Sequence, residues 1–152
     1  MIAVGMIEKH LTCALDCGTN TGIAIYDFKQ KKITETHSTD FFGAFKILKN
    51  LDRNITKIIV EVPASFVYNR NNNEKGPVRD SMCFKMGGTR RESQLMAIGC
   101  RLLGFSVKEV LPVRAAKWTA EDFKRYLGFD GRTNQHVRDA GRLAFFHSSD
   151  RF

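Results

Sequence analysis

Hydrophobic and polar positions alternate along residues 11–16, with Leu11, Cys13 and Leu15 set against Thr12, Ala14 and Asp16, and a glycine-containing turn follows at 17–21. A period of two predicts a strand. Runs at 22–28 and 33–38, joined by the Lys-rich turn 29–32, predict two more, so the first three strands form an antiparallel meander. Over 41–51 the period lengthens, and Phe42, Phe45, Leu48 and Leu51 fall on one side of a predicted helix. The β-branched run 57–62, ended by Pro63, predicts a fourth strand; its strand–helix–strand context favours parallel pairing with the first through a right-handed crossover. Residues 63–88 show no periodicity and are rich in Asn, Arg and Gly, the pattern of a long functional or disordered loop. A helix is expected at 89–103, with Leu95, Met96, Ile98, Gly99, Leu102 and Leu103 on a broad face and Gly104 as its stop. A fifth strand at 105–111, a helix within 114–127 and a final helix over 134–147, capped by Thr133 or Asn134, complete the chain. The expected architecture is an α/β domain with a five-stranded mixed sheet in the order 3-2-1-4-5, strand 2 antiparallel, flanked by helices.

The 152 residues, 43% of them hydrophobic, suit a single domain spanning 1–152. No apolar run approaches the roughly 18 residues of a membrane span, and the first residues lack a signal-peptide pattern, so a soluble, cytoplasmic protein without membrane association is expected. Cys13, Cys17, Cys83 and Cys100 form no CxxC pair, which argues against zinc and for reduced, hydrophobe-like cysteines. The net charge of +8 is uneven: residues 1–62 carry 8 basic and 7 acidic side chains, residues 63–152 carry 16 and 9. The second part therefore faces a polyanion if there is one.

Two carboxylates stand where a solvated acid is not expected. Asp16 ends an apolar strand, and Glu61 interrupts the run Ile58, Ile59, Val60, Val62, where an unpaired ion is costly to bury. If these strands are neighbours, the two acids emerge together and need a proton or a cation between them; oxygen donors suit Mg²⁺ or Mn²⁺. The last helix adds His136 and Asp139 on one face, and Ala140 and Gly141 beside them are small enough to let that helix approach the sheet.

These residues carry a family resemblance. LDCGTNTG at 15–22 resembles the first-strand motif of RuvC-type Holliday junction resolvases, Ile59, Val60 and Glu61 resemble their second acidic strand, and His136 to Ala140 (HVRDA) resemble their last helix. The resemblance runs from about residue 11 to 147 and implies a ribonuclease-H-like fold. It implies Mg²⁺-dependent, structure-specific DNA cleavage, symmetric nicking of four-way junctions that leaves 5′-phosphate and 3′-hydroxyl ends. The implied metal ligands are Asp16, Glu61, His136 and Asp139 around two Mg²⁺ ions, with Mn²⁺ as substitute and Asp16 bridging; His136 is either ligand or proton shuttle. Lys117 matches a basic position suited to charge building on the scissile phosphate. DNA contacts are expected from Arg70, Lys75, Arg79, Lys85, Arg90 and Arg91, from Phe66 and Tyr68 at the branch point, and from amides at 87–89 ahead of the helix. The family is homodimeric, and the apolar face of 89–103 is the expected interface. Where the family continues its last helix with aliphatic residues, this chain has Gly141, Arg142 and Leu143. Three other readings share parts of this pattern: a nuclease of the same fold acting on flaps, forks or RNA–DNA hybrids, a catalytically inactive nucleic-acid-binding module, and an actin-like ATPase. The last shares Asp16, Gly18, Thr19 and Gly22 but needs a duplicated fold with a second phosphate loop, for which 152 residues leave no room.

Overall fold

The computed structural model describes residues 8–64 and 77–152, with the side chains of 77–80 left aside. Its elements run β1 (Leu11–Asp16), β2 (Thr21–Asp27), β3 (Lys32–Thr39), α1 (Phe41–Leu48), β4 (Thr56–Glu61), α2 (Pro77–Leu102), β5 (Ser106–Val110), α3 (Ala120–Leu127) and α4 (Gln135–Phe146). The sheet order is β3-β2-β1-β4-β5, as expected. β1 is the pivot, antiparallel to β2 and parallel to β4, while β4 is parallel to β5.

Helices cover both faces of the sheet. On one face Cys13, Leu15, Ile23, Ile25, Ile58 and Val60 pack against Ala44 and Leu48 of α1 and Met96, Ala97 and Cys100 of α2. On the other, Ala14, Ala24, Tyr26 and Ile59 meet Phe123 and Leu127 of α3 and Val137, Ala140, Leu143 and Ala144 of α4. A strand with helices on both sides has no solvent face, so the alternation expected for β1 dissolves: Thr12 and Ala14 are as buried as Cys13 and Leu15. Cys13, Cys17 and Cys100 are free and buried, in keeping with small hydrophobes.

Three local expectations need correction. First, α1 buries Ala44 and Leu48, with Phe41 and Phe45 packed beside them, and leaves Phe42 75% exposed. Its start is set by Asp40, whose side chain accepts from the Gly43 amide; positions 41, 44, 45 and 48 then share a side. Second, α2 begins at Pro77, inside the stretch expected to be a loop. Proline suits a first turn, and Gly87 and Gly88, which look like breakers, lie within the helix where an added Cβ would meet nothing within 4 Å. The amides at 87–89 are therefore mid-helix groups, not a helix end open to phosphate. Third, Gly141 does not face the sheet: a Cβ there would lie 2.3 Å from the Phe123 ring of α3. The close approach of α4 to the sheet is made at Gly22, where a Cβ would sit 2.2 Å from the carbonyl carbon and oxygen of His136. Among the described residues, no helix is long and apolar enough to cross a membrane.

Candidate active site

The β1–β4 pairing runs in register through Leu15 opposite Val60, so the next residues, Asp16 and Glu61, end two adjacent parallel strands at the same edge. Asp16 also pairs with Gly22 across the antiparallel side, and at Gly22 the backbone of the first turn of α4 comes too close to the sheet to admit a side chain. One contact thus sets the helix beside the first acid. Asn134 caps α4 by accepting from the Val137 amide at 3.0 Å, and its Nδ2 donates to Ser38 Oγ of β3 at 2.8 Å, which fixes the helix start against the sheet.

Asp16, Glu61, Lys117, His136, Asp139 and Arg142 line one cavity of about 470 Å³, together with the Cys17–Asn20 turn, Thr89, Pro112, Val113 and Ala115. Sequence reasoning named the first five as candidates. It missed Arg142, an arginine three residues beyond Asp139 within the buried run of α4. His136 Nδ1 lies 3.0 Å from Asp16 Oδ2. Asp139 accepts from Gln135 Nε2 at 2.8 Å on Oδ1, and Lys117 Nζ stands 3.6 Å from its Oδ2. The i,i+4 spacing of Gln135 and Asp139 was the available signal for that partner.

Electrostatics mark the cavity as an acid cluster. Burial, and then the neighbouring charges of Asp16 and Asp139, push the Glu61 carboxyl up to about 7, while Arg142 and Lys117 oppose the shift. Burial likewise raises Asp16, against the lowering pull of His136. Burial pushes the Cys17 thiol beside it up to about 12, which favours its protonated form. Among the described residues, no three His, Cys, Asp or Glu side chains close on a single point as a ready-made ion shell. Asp16 is instead engaged with His136, and Asp139 with Gln135 and Lys117, in the space they share with Glu61.

The expected DNA-contacting residues are only partly in view. Phe66, Tyr68, Arg70 and Lys75 lie outside the described residues, and Arg79 falls in the first turn of α2 with its side chain likewise outside them. Lys85 and Arg91 are exposed on α2 and Arg90 is half-buried, on the helix whose Thr89 reaches the cavity. No protein-family model, no curated protein and no solved structure matches this chain.

Proposed function

We propose that this chain is a divalent-metal-dependent DNA endonuclease of the ribonuclease-H-like type that cuts four-way junctions. One observation carries the reading: Asp16, Glu61 and Asp139, from three separate elements, share a cavity in which burial and mutual repulsion hold Glu61 near neutrality. Such a cluster is stable as a neutralised or cation-bound set, and its carboxylate oxygens fit Mg²⁺ or Mn²⁺. Asp16, Glu61 and Asp139 would hold the metal, with His136 beside them. When bound, the metal supplies an activated water and charge stabilisation at the leaving oxygen.

The chain's own residues do the rest. His136, tied to Asp16 through Nδ1, keeps Nε2 to carry a proton to or from the reacting water. Lys117, whose side chain is largely exposed, is placed to meet a non-bridging oxygen of the scissile phosphate. Attack of water on phosphorus breaks the bond to the 3′ oxygen and leaves 5′-phosphate and 3′-hydroxyl ends. The basic excess beyond residue 62, including Lys85, Arg90 and Arg91, suits a sequence-independent grip on the backbone.

A synthetic four-way junction is expected to be nicked symmetrically in Mg²⁺ or Mn²⁺ and left intact in EDTA. Flap, linear duplex and RNA–DNA hybrid substrates run beside it decide the specificity. Equal cutting of all four would remove the junction preference, and metal-independent cutting would remove the mechanism.

Two nicks on opposite strands call for two sites, which favours a homodimer. On α2, Leu95, Ile98 and Leu102 are 40%, 46% and 83% exposed, on the side away from the buried Met96, Ala97 and Cys100. Such a row loses its contact with water in a second copy. Ile98→Glu with Leu102→Glu is expected to convert a dimer to a folded monomer in sedimentation analysis, weakening association about tenfold or more. A wild-type monomer at micromolar concentration would rule this interface out.

A further inference from the structure

Residues 111–119, between β5 and α3, belong to no helix or strand, yet they carry Lys117 to the acid cavity. Two arginines one turn apart on α4 hold this segment by its carbonyls. Arg138 Nε donates to the Trp118 carbonyl at 3.1 Å, and Arg142 Nη1 donates to the Ala116 carbonyl at 2.8 Å. Lys117 is the residue between those two carbonyls, and its Nζ is the group 3.6 Å from Asp139. The spacing is a natural match, because an i,i+4 pair on a helix presents two guanidinium forks along one line.

Both arginines are built in. Arg142 is 5% exposed, an expensive place for a charge unless it has a task. Arg138 is pinned further, donating to the Thr133 carbonyl and hydroxyl at 3.1 and 3.2 Å and to Gln135 Oε1 at 3.1 Å. That same Gln135 donates to Asp139. The network therefore reaches Asp139 from two directions, through Gln135 and through Lys117.

We propose that Arg138 and Arg142 are positioning residues, a two-arginine clamp that fixes the 116–118 backbone and so presents Lys117 at the acid cavity. The role given to Lys117 rests on the nuclease reading; the clamp itself does not. Without it, a segment lacking ladder hydrogen bonds would sample many conformations, and the Lys117 ammonium would be present at the cavity only part of the time.

The only tryptophan of the chain, Trp118, lies in the clamped segment, stacked on Tyr126 at 5.1 Å, and reports on it directly. In the full chain, Arg142→Met is expected to raise acrylamide quenching of Trp118 about two- to threefold with the far-UV circular dichroism unchanged. Arg138→Met, which keeps the buried arginine, gives a second arm with the same expected direction should the first variant fail to fold. Unchanged quenching in a folded variant overturns the clamp.

A double-mutant cycle then tests the link to Lys117. On a synthetic four-way junction with Mg²⁺, Arg142→Met is expected to lower kcat about 10- to 100-fold with KM within about threefold, and to cost nothing more in a Lys117→Met background. Additive losses overturn the proposal that the arginine acts through Lys117. A wild-type protein that cuts no nucleic acid in Mg²⁺ or Mn²⁺ removes the nuclease reading, while the quenching result still decides the clamp.

Discussion

Glu61→Gln is expected to abolish the proposed metal-dependent cleavage, by about 10³-fold or more, and at the same time to make the metal-free protein more stable at pH 8. The two effects share a cause. Glu61 is pushed up to about 7 by burial and by Asp16 and Asp139, so the fold favours its protonated form. A raised carboxyl contributes stability that is complete below its unfolded value near 4.5 and is lost as pH rises through about 7. At pH 8 the wild-type protein has lost that contribution, on the order of 1–2 kcal/mol once solvent screening of this partly exposed carboxyl is allowed for. Glutamine is neutral at every pH and keeps it. In EDTA the Tm of the variant should exceed that of wild type by roughly 5 °C at pH 8. At pH 4 the two should converge, because the glutamic acid is then protonated as well. Adding Mg²⁺ should raise the wild-type Tm and leave the variant nearly unmoved, since only a state that binds ligand is stabilised by it. Asp16→Asn should lose cleavage to a similar degree. At subsaturating Mg²⁺, cleavage should rise with pH as Glu61 sheds its proton and frees its oxygens for the metal, and saturating Mg²⁺ should move that rise to lower pH. A Glu61→Gln protein less stable than wild type at pH 8 would show that this carboxylate is held by favourable contacts, and the acid-cluster argument would fail.

The placement of Asp16 and Glu61 was legible because it depends on topology alone. An apolar strand ending in Asp16 and a later apolar strand carrying Glu61 near its end put both groups at one sheet edge once the two strands pair in parallel, and they do. Asp139 and His136 were legible through helical spacing. What escaped was everything decided by contact between distant segments. Phe41 and Phe42 are equivalent in a hydrophobicity pattern, and only the cap at Asp40 chooses between them. The first half of α2 reads as a loop in sequence because its apolar residues form no stripe. Met82, Phe84 and Met86 are all exposed, so no buried face imposes a period on the sequence. Arg142 interrupts an otherwise apolar helix face, which reads as a packing fault until the Ala116 carbonyl is seen opposite it.

Gly22 is the sharpest case of this kind, and it leads to the other large expected effect. In sequence it is one more glycine in a turn-like motif. In the fold it is the second residue of β2, without the positive φ that favours glycine, and its lack of a side chain is what counts. Gly22→Ala would put a methyl carbon 2.2 Å from the carbonyl carbon and oxygen of His136 and 2.7 Å from the Val137 nitrogen. These are backbone atoms within a helix and cannot rotate aside, so α4 must retreat from β2 by about 1 Å to restore van der Waals contact. His136 and Asp139 ride on that helix and would move away from Asp16 and Glu61 together. A displacement of this size in a preorganised site costs about 10²-fold in rate, and overpacking of a core costs about 1–3 kcal/mol. Gly22→Ala should therefore lower kcat about 100-fold and the Tm by about 5 °C, with the helix content retained. Gly87→Ala supplies the contrast: its methyl group meets open space inside α2, and it should stabilise the protein by up to about 1 kcal/mol through helix propensity. If Gly22→Ala keeps wild-type cleavage, α4 does not need its close seat on β2 for the site to work, and Asp139 reaches Asp16 by another route.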